Sequence, residues 1–143
     1  MRIVVTALVL ISLGAVGAAT AAPASHSARA DNFCSVSKGV ASQLVGITNV
    51  TATSSGSKLK AEYAAIKAAE PALKSSAPRK LKPNVVKVLA FADTLGGDLA
   101  AVNWNLVGLL PKMTSLTAQA AKATAAFNAL RKYYTGTCHF SVG

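Results

Sequence analysis

Acidic residues are scarce here. Five Asp and Glu stand against fifteen Lys and Arg, giving a formal net charge of +10 over 143 residues. The few carboxylates form no acid–base pair. Asp93 and Asp98 fall on different sides of a helix, and no His or nucleophile is spaced to complete a catalytic constellation. No enzymatic activity is expected. Aromatics are also sparse, at 6%, so a core must be built from Leu, Val, Ile and Ala. With only two cysteines and two histidines, the chain offers too few ligands for a metal site. The absence of a CxxCH motif excludes covalent haem, and no cofactor is expected. No run alternates apolar and polar residues for long enough to make a strand.

The apolar share is 52% against 14% charged, which is not a disordered composition. Much of it is Ala, a strong helix former. Arg2 and the amino terminus form a short positive region. An apolar run from Ile3 to Leu13 and small residues from Gly14 to Ala24 follow, the order of a secretory signal peptide. Residues 1–21 are the expected signal, with Ala19 and Ala21 at the small-residue positions and Ala28-Arg29-Ala30 as a second site. Residues 22–30 read as a flexible linker and 31–143 as the folded domain. The apolar run is shorter than the ~20 residues of a membrane span, which leaves a signal anchor as the alternative. The expected destination is the medium or the cell wall, with no transmembrane span in the mature chain.

Export gives Cys34 and Cys138 a meaning. An even number of cysteines in an exported chain reads as a disulfide; free thiols or a bond between chains are the alternatives.

Four helical stripes follow from three- and four-residue spacing. Phe33, Val36, Val40, Leu44 and Ile47 make the first, after an Asp31 or Asn32 cap. Leu59, Tyr63, Ile66, Ala69 or Glu70, and Leu73 make the second, capped by Ser57, with Pro71 expected to kink or end it. Leu81, Val85, Val88, Ala92, Leu95 and Leu99 make the third, with Pro78 or Pro83 in its first turn and Gly96-Gly97 loosening or ending it. Asp98 to Leu110 reads either as a helical face or as a loop, and Trp104 either as core or as an exposed anchor. Pro111 opens the fourth stripe: Met113, Leu116, Ala120, Ala123, Phe127, Leu130 and Tyr134, with Gly136 as its stop. The expected fold is all-α, an up-down four-helix bundle closed by one disulfide. An even number of antiparallel helices places Cys34 and Cys138 at the same end.

The densest charge runs from Lys58 to Lys87. Lys74, Arg79, Lys80, Lys82 and Lys87 are the candidate contacts for an anionic partner: lipid headgroups, an envelope polymer or an acidic glycan. An unidentified protein is a further possible partner class. A solvated basic face that keeps the protein soluble is the plainer reading. No aromatics are interleaved for base stacking, and nucleic acid is not expected. Tyr133, Tyr134 and His139 beside Cys138 are the candidate haem ligands, with Met113 as a further soft ligand; their plainer reading is core, surface and tail. A cavity lined by Leu95, Leu106, Phe127 and Tyr134 would suit a haem or apolar small-molecule carrier.

The paired Cys34 and Cys138 and the stretch Ala77-Pro78-Arg79-Lys80-Leu81-Lys82-Pro83-Asn84-Val85-Val86 together resemble a group of small secreted actinobacterial helical proteins. That group shares an "AP-x-x-[LI]-K-x-[DN]-[VI]" stretch at a helix start and is functionally uncharacterised. The resemblance covers roughly Cys34 to Cys138 and transfers no catalytic residue. A looser similarity to mycobacterial haemophore-like proteins implies haem binding. The leading expectation is a secreted, non-enzymatic helical protein that binds an anionic partner through its basic face. The alternative is the carrier.

Overall fold

Each stripe becomes the buried side of one helix in the computed structural model, which describes residues 24–51 and 54–142. Helix α1 spans Ala24–Thr48, α2 Gly56–Ser76, α3 Lys82–Ala101 and α4 Met113–Gly136. A 3-10 helix, Leu106–Lys112, precedes α4. No strand occurs among the described residues. The expected signal peptide, residues 1–21, lies outside them.

The helices run up and down in chain order. α1 packs chiefly on α2, and α3 on α4; α2 and α3 join the two pairs, while α1 and α4 meet over a narrower contact. Phe33, Leu44, Ile66, Leu73, Val88, Leu99, Leu130 and Tyr134 are all buried in the shared core. At one end Cys34 is bonded to Cys138 with their Cα atoms 5.3 Å apart. Phe33 packs there against Tyr133 and Tyr134, with ring centroids 5.9 and 6.1 Å away, and Tyr134 stacks on Phe140 at 5.0 Å. The disulfide and this aromatic cluster pin the α1–α4 seam at that end.

Several boundaries differ from expectation, each for a local reason. α1 starts at Ala24, so residues 24–30, expected as a linker, are helical and Asp31 and Asn32 lie inside the helix. The stretch Ala24 to Lys38 holds no Pro or Gly and several Ala, so nothing stops the helix short of Asp31. α2 is entered through Ser55 rather than Ser57, whose hydroxyls meet at 2.8 Å without a side-chain cap. It runs through Pro71 to Ser76. Pro71 and Lys67, whose carbonyl loses its helical donor, are both exposed, on the side of the helix where water can replace the missing donor.

α3 has Pro83 in its first turn, where a missing N–H costs little. It continues through Gly96-Gly97 to Ala101. Gly96 is there for packing: a methyl group at this position would fall on the Tyr63 ring, so its bare backbone lets α2 and α3 close together. The helix ends in a Schellman motif. The Trp104 N–H donates to the Leu99 carbonyl at 2.7 Å and the Asn103 N–H to the Ala100 carbonyl at 3.1 Å. Asn103 takes the left-handed conformation, φ 51°, which Asn tolerates better than most residues. Trp104 follows at φ 60°, a costly position for a bulky residue. It is held there by contact: Tyr63 lies 6.0 Å from its ring, and its carbonyl sits where a side chain at Gly56 would stand. Trp104 is half-buried, a core flank rather than a free anchor. Pro111 falls within the 3-10 helix instead of opening α4.

Candidate functional site: an apolar cavity between α1 and α4

The seam pinned by Cys34–Cys138 opens towards the other end of the bundle. There the last turn of α1, the middle of α3, the 3-10 helix and the first turns of α4 surround a cavity of about 470 Å3. Its floor is Phe91 and Leu95 of α3. One wall is Ile47 and Val50, and the facing wall is Leu116, Thr117 and Ala120. The 3-10 helix forms the rim.

The rim sequence, Leu106-Val107-Gly108-Leu109-Leu110-Pro111-Lys112-Met113, is too apolar for an ordinary loop. Leu109 is buried at 2% exposure and anchors it, whereas Val107, Leu110 and Met113 are 70%, 65% and 48% exposed. Gly108 sits close against Val102. Asn105 Oδ1 accepts the Val107 N–H at 3.0 Å and caps the segment, and Lys112 pairs with Asp98 of α3. The rim thus holds three large apolar side chains in water at the mouth of an apolar cavity. Contiguous exposed apolar surface of this kind marks interaction sites, and the cavity falls within the ~300–1,000 Å3 of ligand pockets.

Among the described residues two polar side chains line it. Thr117 Oγ1 donates to the Met113 carbonyl at 2.8 Å, and Thr51 Oγ1 lies 3.3 Å from Ser54 Oγ. No charged side chain is among the lining residues. No group of three or more metal-ligating side chains occurs among the described residues.

Of the residues anticipated for a carrier cavity, Leu95 and Leu106 line it. Phe127 and Tyr134 are buried in the core, further along α4 towards the disulfide. Three of the candidate haem ligands are brought together at the disulfide end, away from the cavity: Tyr134 is fully buried, Tyr133 is half-buried against Phe33, and His139 is exposed; the fourth, Met113, stands apart from them at the cavity mouth. Burial raises the pKa of the Tyr134 phenol, partly offset by the nearby Ser37 hydroxyl. Ser37 is itself fully buried, and its hydroxyl makes no hydrogen bond of ordinary geometry. The sequence reading missed Val107 and Leu110 at the mouth and assigned Ile47, Phe91 and Leu116 to the core or to no site.

The anticipated basic residues gather at the disulfide end. Arg79, Lys80, Lys82 and Lys87 are exposed around the start of α3. The antiparallel order brings Arg131 and Lys132 of α4 to the same end, also exposed. Among the described residues none of these six has an acidic partner within salt-bridge distance. Lys74 differs, because it pairs with Glu70. Glu70 also pairs with Lys67, which reaches Asp93 at 3.1 Å. The hydrogen bonds from Lys67 and Lys74 hold the Glu70 carboxyl below its ordinary pKa, and the bonds to Glu70 and Asp93 hold Lys67 above its own.

Comparison of the chain with protein-family models, with curated proteins and with solved structures finds no match.

Proposed function

We propose that the chain is an exported, non-enzymatic carrier that holds an apolar small molecule between α1 and α4. The observation that carries this reading is the cavity of about 470 Å3 with an aliphatic lining and Val107, Leu110 and Met113 exposed at its mouth. Leaving those side chains in water costs about 25 cal/mol per Å2 of apolar surface, which an apolar occupant recovers. Among the described residues no His, Tyr or Cys lines the cavity, which favours an apolar occupant over haem. Export rests on the signal-like residues 1–21 and on the disulfide. No helix among the described residues is long and apolar enough to cross a membrane.

The uncharged dye N-phenylnaphthylamine tests the site without being drawn to the basic surface. Wild-type protein is expected to bind it with enhanced, blue-shifted emission. Ala120→Phe, which fills the wall, and Leu110→Asp, which charges the rim, should each weaken binding about tenfold or more, roughly 1.4 kcal/mol. Unchanged affinity in both folded variants overturns the reading.

A separate observation favours a second contact. Arg79, Lys80, Lys82 and Lys87 are exposed and unpaired beside Arg131 and Lys132. We infer that this end rests on an anionic envelope polymer or lipid surface, with Lys74 contributing less because Glu70 occupies it. Each Lys or Arg near an anionic membrane contributes about 1 kcal/mol. Reversing Arg79, Lys80 and Lys82 to Glu should therefore weaken co-sedimentation with phosphatidylserine vesicles by more than about a hundredfold at low salt. Retained binding removes the assignment.

A further inference from the structure

We infer that the occupant is the hydrocarbon tail of a single-chain amphiphile, its polar head left in solvent at the mouth. This rests on the carrier reading and names its ligand class.

The first ground is what the lining offers. Ligand sites for cofactors and ring systems combine an apolar wall with a few placed polar groups that fix orientation. Here the lining holds no charged group, and both threonine hydroxyls are engaged by the protein itself: Thr117 on the Met113 carbonyl, Thr51 on Ser54. A ligand carrying carbonyl or other acceptor atoms along its body would bury them against a lining whose hydroxyl protons are already used, at a substantial cost for each. Plain hydrocarbon meets no such cost.

The second ground is shape. The cavity follows the seam from exposed Leu110 and Met113 down to Phe91 and Leu95, which are 8% and 4% exposed. One end is wet and one end is dry, as a molecule with a head and a tail requires. The third ground is size. A dry cavity of ~150 Å3 takes benzene, so about 470 Å3 has room for up to roughly 18 carbons at the same packing. The fourth ground is charge at the mouth. Lys112 is neutralised by Asp98, and no charged side chain among the described residues lines the cavity, so the lining does not select the head by its charge.

Titration calorimetry with saturated fatty acids from octanoic to hexadecanoic, and in parallel with the matching alkyl phosphocholines, tests the inference. Each buried methylene contributes about 0.8 kcal/mol, so Kd should fall about fourfold per added methylene. The slope should be the same for both heads, level off once the tail fills the seam, and level off at shorter chains in Ala120→Phe. A slope confined to one head class overturns the claim that the head is unread. N-phenylnaphthylamine binding without any chain-length dependence overturns the inference while leaving the carrier reading intact. A slope untouched by both Ala120→Phe and Leu110→Asp places the tail elsewhere and overturns it. Binding of neither dye nor amphiphile removes the inference and the carrier reading together.

Discussion

The double variant Cys34→Ser/Cys138→Ser is expected to unfold about 2–5 kcal/mol more easily than the wild type, read from urea midpoints under oxidising conditions. The bond joins residues separated by 104 positions. Closing a loop of ~100 residues is worth about 4.7 kcal/mol in the chain-entropy account, a large part of the ~5–15 kcal/mol of a typical domain. The structure adds a reason specific to this bundle. α1 and α4 share the narrowest interface of the helix ring, and the bond lies across it. Without the bond, that end of the seam relies on the packing of Phe33 and its ring neighbours. Adding dithiothreitol to the wild type should reproduce the variant's midpoint. A difference of only a few tenths of a kcal/mol would show that the seam holds itself.

Tyr134→Ala should cost about 3–5 kcal/mol, as large-to-small changes at fully buried aromatic positions do. Tyr134 is 1% exposed, stacks on Phe140 at 5.0 Å and leans on Phe33. Removing its ring opens the core directly beneath the disulfide. Tyr133→Ala, half-buried one residue away, should cost clearly less. Ser37→Ala makes the comparison sharper. Its hydroxyl is buried without a hydrogen bond of ordinary geometry, so its loss should be neutral or stabilising by up to about 1 kcal/mol. Chemical denaturation of the three variants under one condition checks the ranking. Equal losses for Tyr133→Ala and Tyr134→Ala would contradict it.

The helices were legible because burial follows their period. Leu59, Ile66 and Leu73 of α2, and Leu116, Ala123, Phe127, Leu130 and Tyr134 of α4, are spaced as turns of one face and are all buried. The four-helix order was legible from the cysteines, since only an even number of antiparallel helices returns the chain to Cys34. Local breaker rules failed where tertiary contact outweighed them. Gly96 looks like a stop, yet it is the surface on which Tyr63 rests. Pro71 looks like a kink or an end, yet α2 runs through it to Ser76, with Pro71 and Lys67, whose carbonyl it leaves without a helical donor, both on the exposed side. The cavity was half legible. Leu95, on the floor, and Leu106, at the rim, do line it. Phe127 and Tyr134, expected to line it too, lie instead in the closely packed core nearer the disulfide. The overlooked signal was the run from Leu106 to Met113, in which apolar side chains outnumber the places available to bury them.

Trp104 gives the bundle a built-in optical label. It is the only indole in the chain, and its left-handed backbone and its contact with Tyr63 fix it at the cavity end. Tyr133 and Tyr134 occupy the other end. The third phenol, Tyr63, lies beside the indole, so in a Tyr63→Phe background indole emission and phenol absorbance report on opposite poles of one molecule. During heating, the order in which the two signals change tells which pole frays first.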